Sequence, residues 1–168
     1  FDVIDDVPNQ NNTRSNIFRY DEMVYAGYLS YAKQLSEKWN MIGGLRLEQT
    51  DAMGELEAFV PELQEPPVEL NYLSAFPNFG LTYSMAPEHV FNLNYGRRIN
   101  RPDYNVLNPF KEQISELSFS KGNPFLKPEI VNNLELGYTL KYRYNFKLSY
   151  SKTLDQITRL IGPDDSDP

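Results

Sequence analysis

Sustained period-two alternation of apolar and polar residues constrains this 168-residue chain more than any other feature. Leu134, Leu136, Tyr138, Leu140 and Tyr142 oppose Glu135, Gly137, Thr139 and Lys141. Phe91, Leu93 and Tyr95 likewise oppose Asn92, Asn94 and Gly96, and Phe146, Leu148 and Tyr150 oppose Lys147, Ser149 and Ser151. Successive side chains of a strand point to opposite faces, so each run presents one apolar and one polar face. Trp39, Met41, Leu45 and Leu47 continue the apolar row against Asn40, Arg46 and Glu48, with Ile42 interrupting the polar side.

Six strand-like segments follow from this pattern: 18–33, 39–53, 72–85, 89–100, 131–142 and 144–161. Globular strands usually run about 5 to 6 residues. Several of these segments reach or exceed the roughly 9 to 11 residues that a tilted strand needs to cross a membrane. No stretch approaches the roughly 18 consecutive apolar residues of a membrane helix, so any insertion must use strands.

The connectors alternate in length. Residues 34–38, 86–88 and 142–144 are short, whereas 54–71 and 101–130 are long. Membrane barrels pair short periplasmic turns with long extracellular loops. That asymmetry places 2–17, 54–71, 101–130 and the tail from Gly162 outside the cell. Tyr31, Trp39, Tyr83, Phe91, Tyr142 and Phe146 all lie close to the short turns, where amphipathic rings meet a headgroup layer. Ordinary strand propensity favours the same residue types, so the clustering reads either as a girdle or as plain β preference.

Composition agrees with a two-faced wall. The chain carries 12 Tyr and 10 Phe, yet its mean hydropathy is −0.55. Alternating lipid-facing and water-facing positions give both properties at once. With no cysteine, disulfides and thiolate metal sites are excluded. The net charge of −7 comes largely from Asp51, Glu55, Glu57, Glu62, Glu65 and Glu69 and from Asp164, Asp165 and Asp167. No basic face for nucleic acid is present. The opening Phe1-Asp2-Val3-Ile4-Asp5-Asp6 lacks the basic start and apolar run of a signal peptide, which reads as a fragment or processed piece.

Candidate chemistry is sparse. His89, the single histidine, stands at a strand start and reads as a turn or interface residue, not a catalytic base. Asp164, Asp165 and Asp167 lack the spacing of a calcium loop and read as solvated. Asn11-Asn12-Thr13 matches a glycosylation acceptor by chance. Arg97, Arg98 and Arg101 form the one basic cluster, able to meet lipopolysaccharide phosphate or an anionic ligand, or else to pair with carboxylates such as Asp103. Without a phosphate loop, nucleophile elbow or metal-ligand spacing, no enzyme, cofactor or metal is expected.

Two proline-punctuated motifs remain. One runs Arg97-Arg98-Ile99-Asn100-Arg101-Pro102-Asp103-Tyr104-Asn105-Val106-Leu107-Asn108-Pro109-Phe110; the other runs Gly122-Asn123-Pro124-Phe125-Leu126-Lys127-Pro128-Glu129 into the strand at Leu134. Pro124 and Pro128 fix φ and push Asn123 and Lys127 toward extended backbone, which makes a stiff connector. After Glu129 no proline appears until Pro163, leaving room for two strands.

Together these motifs resemble TonB-dependent outer-membrane receptors, and more narrowly the outer-membrane β-barrel family of the Bacteroidetes type. Residues 25–31 and 44–48 are also similar to strands of that family. The resemblance implies an all-β fold in which 1–168 is a partial barrel domain, an antiparallel up-and-down sheet of about six strands belonging to a larger transmembrane β-barrel. It implies residence in the Gram-negative outer membrane and a role in nutrient uptake. The implied partners are outer-membrane lipid, the remaining strands and plug of the full-length receptor, TonB through an N-terminal segment that this chain does not show, and an unknown nutrient. Six strands cannot close such a barrel of about 22. Two other classes stay open: a soluble β-sandwich that binds a ligand, and an outer-membrane barrel enzyme, which would need a nucleophile and base projecting together.

Overall fold

The computed structural model describes residues 11–115 and 117–163, together with the backbone of 2–4 and 7–9. Asp164, Asp165 and Asp167 lie outside the described residues. Among the described residues ten strands follow one another: β1 (Asp2–Ile4), β2 (Val7–Asn9), β3 (Asn16–Gln34), β4 (Trp39–Ala58), β5 (Val68–Ala86), β6 (His89–Asn100), β7 (Glu112–Ser115), β8 (Ser118–Ser120), β9 (Glu129–Leu140) and β10 (Tyr144–Leu154). Six of them form one antiparallel sheet in the order β10-β9-β6-β5-β4-β3. β1–β2 and β7–β8 are separate hairpins, the second carried on the connector between β6 and β9. The expected up-and-down sheet is therefore present, with β3 and β10 at its edges.

Register fixes the faces. Trp39 pairs with Tyr83, Tyr83 with Phe91, Phe91 with Tyr138 and Tyr138 with Phe146, so five rings from five neighbouring strands stand in one row. Trp39 and Tyr83 stack at 4.3 Å between centroids, and Phe91 and Tyr138 at 4.6 Å. Four residues of the expected girdle, Trp39, Tyr83, Phe91 and Phe146, thus stand together, and Tyr138 joins them. Its place is set by pairing rather than by nearness to the turn. Tyr142 instead occupies the turn, where Lys141 and Tyr142 both have φ near 53°. Left-handed backbone is uncommon at such bulky residues and carries strain.

On the side of this row, Leu29, Leu73 and Leu148 are 74%, 69% and 72% exposed. Among the described residues no second sheet covers them, which removes the support for a soluble sandwich. Along β4 the apolar outward run from Trp39 to Leu47 is about 27 Å long at ~3.4 Å per residue, or roughly 21 Å along the normal at a tilt of about 40°, comparable with the roughly 25 Å band of a membrane barrel.

Above that band the polarity inverts. Outward positions become Asp51, Glu55 and Glu57, while inward positions become Ala52 and Leu56, both buried. The lower wall is apolar outside and mostly polar inside; the upper wall is acidic outside, and its inside is buried. This inversion explains the main departure from expectation. The acidic stretch 54–71 was expected to be a loop, yet β4 continues to Ala58 and β5 resumes at Val68, leaving only 59–67 as connector, with a 3-10 turn at Pro61–Leu63. Arg19 answers one of the outward acids, with Nη1 2.9 Å from Glu57 Oε2. β10, expected to reach Ile161, stops at Leu154 because Asp155 turns to φ 53°.

Ile42, which interrupts the inward polar row, lies against Gly80, where an added Cβ would come within 2.8 Å of its Cγ2. The absent side chain at Gly80 is what accommodates it. Neighbouring inward positions carry polar pairs: Thr82 donates to Asn92 at 3.0 Å, Thr139 to Asn145 at 2.8 Å, and Lys147 pairs with Glu135.

Candidate functional site

The sheet does not stay fully paired to its upper end. β5 and β6 are hydrogen-bonded only up to Asn78 and Gly96, and residues 97–100 of β6 pair with β9 alone. Pro77, which has no N–H to give a neighbour, stands one residue beyond the last pair. From that fork the connector 101–128 turns across the inner face of β5, β4 and β3 as a strap.

Arg101 anchors its first turn. Nε donates to Glu22 Oε1 at 2.9 Å, and Nη2 donates to Glu48 Oε2 at 3.0 Å and to Thr50 Oγ1 at 3.2 Å. Arg46 completes the cluster, with Nη2 3.0 Å from the other Glu48 oxygen and its guanidinium 5.2 Å over the Phe76 ring. Glu48 is 5% exposed and Thr50 is fully buried. A carboxylate taken this far from water must be paired, and two guanidinium groups supply that pairing. Burial opposes the charge on Arg101, but its hydrogen bond to Glu48 and the fields of Glu22, Tyr72 and Glu48 outweigh this, holding its pKa above the usual value.

Next along the strap, Asp103 accepts from the amide of Asn105 and caps a 3-10 turn at Tyr104–Val106. Tyr104 lies 5.3 Å from the ring of Tyr20. Leu107, 1% exposed, and Phe110 are buried, as are Ala52 and Leu56 on the inner face of β4. Asn108 donates to Asn16 at 3.1 Å, which carries the strap to the start of β3.

The second proline motif closes the strap on itself. Gly122 N–H donates to Asn108 O at 2.9 Å, and Asn123 N–H to Val106 O at 2.8 Å. Lys121 reaches Glu65 at 2.7 Å, tying the strap to the β4–β5 connector. The exit is fixed by Glu129, which accepts from Asn100 at 2.8 Å and from the amide of Ile157 at 2.7 Å.

The three arginines expected to act as a cluster are separated. Arg97 has the outward parity of Phe91, Arg98 the inward parity of Asn92, and Arg101 sits in the strap. The carboxylates that receive Arg101 are Glu22 and Glu48, whereas Asp103, the partner named from sequence proximity, caps the 3-10 turn instead. His89 opens β6, its Nδ1 2.7 Å from the Tyr138 hydroxyl. Arg46, Glu48, Thr50 and Glu22 were not singled out from sequence. The one available signal was the pair Arg46 and Glu48 on a single strand face, two inward charges whose remaining bonding capacity needed a partner from elsewhere.

The sequence pattern of one family, described as the outer membrane protein beta-barrel family, matches residues 1–167. No curated protein matches the chain. The match covers nearly the whole chain, over a two-faced antiparallel wall with a ring row at one margin: the chain belongs to the outer membrane protein beta-barrel family and is part of a membrane barrel.

Proposed function

We propose that this chain is a section of the barrel of a TonB-dependent outer-membrane receptor for nutrient uptake. One observation carries the reading: the connector 101–128 is tied to the inside of the wall by Arg101 and Asn108, and its Leu107 and Phe110 are buried. A passive pore needs a clear aqueous lumen, whereas a receptor that admits ligand only on energised release needs an occupied one. The likeness of the two proline motifs to such receptors supports the same reading. The remaining strands, the plug and the TonB-contacting segment belong to the full-length receptor in this proposal, and the nutrient meets the outer rim.

The test is electrical and then energetic. The full-length protein reconstituted in a planar bilayer is expected to show no steady open-channel conductance. In cells, solute uptake that depends on the protein is expected to stop when the inner-membrane proton gradient is collapsed. A stable ohmic pore, or uptake indifferent to the gradient, overturns the receptor reading in favour of passive diffusion.

A further inference from the structure

On the outward face of β6, β9 and β10, Arg97 pairs with Asn132 and Asn132 with Lys152, so the three stand in one cross-strand row. Parity with Phe91, Tyr138 and Phe146 puts them on the lipid side. Tyr95, Leu134 and Tyr150 flank the row below, and Ile99, Ile130 and Leu154 above. Two cations thus interrupt an otherwise apolar surface.

Among the described residues no carboxylate on that face answers them. Glu129 and Glu135, the only carboxylates on these three strands, have inward parity; they bind Asn100 with the Ile157 amide, and Lys147. Asn132 spends its side-chain oxygen on the Tyr95 hydroxyl at 2.9 Å, which leaves its amide end as a donor. The Nε of Arg97 is buried with no hydrogen-bond partner. The row is therefore donor-only, with one donor removed from water and unsatisfied.

Its height matters. Six residues separate the row from the aromatic row on each strand, about 20 Å along the strand at ~3.4 Å per residue and about 15 Å along the membrane normal at a tilt of roughly 40°. An arginine or lysine on the lipid face is strongly destabilising at mid-membrane and nearly free at the interface. That leaves roughly 10 Å to the far edge of a band about 25 Å tall, most of which a long basic side chain covers by snorkelling toward the headgroups. We propose that Arg97, Asn132 and Lys152 bind the phosphate of a lipid headgroup in the leaflet opposite the aromatic row. The planar guanidinium takes two phosphate oxygens and the ammonium adds a point charge from the neighbouring strand. Arg98 and Arg101, on the inner side, take no part. The inference requires only that the chain is barrel wall, and stands apart from the receptor reading.

The test uses the full-length protein in uncharged detergent, with bound lipid counted by native mass spectrometry. The probes are bisphosphorylated lipid A, its dephosphorylated form, and inorganic phosphate. Arg97→Gln and Lys152→Gln are each expected to weaken lipid A binding about fivefold, and the pair about 25-fold, since each basic residue near an anionic surface contributes on that order. Arg97→Lys is expected to keep part of the binding, and Arg98→Gln all of it. Folding is checked by heat-modifiable gel mobility; if Arg97→Gln does not fold, Arg97→Lys and Lys152→Gln carry the comparison. The proposal is overturned if Lys152→Gln with either Arg97 variant binds as the native protein does, if Arg98→Gln loses as much, or if dephosphorylated lipid A binds equally well. Inorganic phosphate binding as tightly as lipid A would make the row a free-anion site and overturn the lipid assignment.

Discussion

The backbone amide of Asn123 lies 2.8 Å from the carbonyl oxygen of Val106, which it reaches across a loop of the strap. The residue before it, Gly122, has no room for a side chain: a Cβ there would fall 2.5 Å from the carbonyl oxygens of both Val106 and Asn108. Backbone cannot swing aside as a flexible side chain can. Gly122→Ala is expected to lower stability by about 1–3 kcal/mol, the usual range for overpacking, read as a reduced thermal midpoint of the full-length barrel. Gly96, whose added Cβ would meet nothing within 4 Å, provides the control; equal effects of Gly122→Ala and Gly96→Ala would refute the close approach.

Arg101 is expected to be the residue that keeps the strap seated. Arg101→Gln leaves Glu48 buried with Arg46 alone and takes the charge from beside Glu22. Loss of a charged hydrogen bond at a buried carboxylate costs about 1.5–3 kcal/mol. Limited trypsin digestion of the folded receptor should then cut faster at Lys111 and Lys121 than in the native protein. Unchanged cleavage would mean that Leu107 and Phe110 hold the strap without the ion pairs.

Trp39 is the sole tryptophan of this chain and opens the aromatic row. If that row marks a headgroup layer, brominated lipids report it. With other tryptophans of the full-length protein replaced by Phe, Trp39 emission is expected to be quenched most by bromines near the top of the acyl chain and least by bromines near its end. Strongest quenching from the chain ends, or none from either, contradicts the girdle.

The two faces make a paired prediction. Single cysteines at Leu136, Tyr138 and Leu148 in the full-length protein are expected to react with lipid-borne maleimide. Cysteines at Glu135, Thr139 and Ser149 are expected to react with a water-soluble one. Equal reactivity of both sets would remove the lipid-versus-lumen assignment.

Sidedness is testable by an epitope, and the structure decides where to put it. Gln64 bridges the β4–β5 connector, donating to the carbonyls of Leu56 and Glu65 and accepting from the amide of Ala58 at 3.0 Å, so an insertion there would disturb the loop itself. Gln113, exposed on β7, is the better position. A tag after Gln113 is expected to be detected on intact cells; detection only after permeabilisation reverses the orientation.

Strand existence and face were legible because alternation is a local property: Phe91, Leu93 and Tyr95 against Asn92, Asn94 and Gly96 needed no tertiary information. The upper halves of β4 and β5 were not. There Glu55, Glu57 and Glu69 lie on the outer face, and a strand with acids outside looks like a polar loop until something is known to cover its inside. That covering comes from residues some 50 positions later, Arg101 to Phe110. The same distance hid Glu48: its partner Arg101 was found as a basic residue, but only the fork between β5 and β6 brings it across two strands.

The fork at Pro77 and Gly96 has one more effect. Residues 68–77 of β5 continue without β6 beside them, about 34 Å of further strand at ~3.4 Å per residue, hydrogen-bonded to β4 for all of that length. The rim of this section is thus uneven in height, tall along β3–β5 and low along β6, β9 and β10. Anything approaching from outside, whether solute, antibody or phage, is screened on the tall side by paired backbone rather than by mobile loops. Its easiest approach to the strap is over the low side.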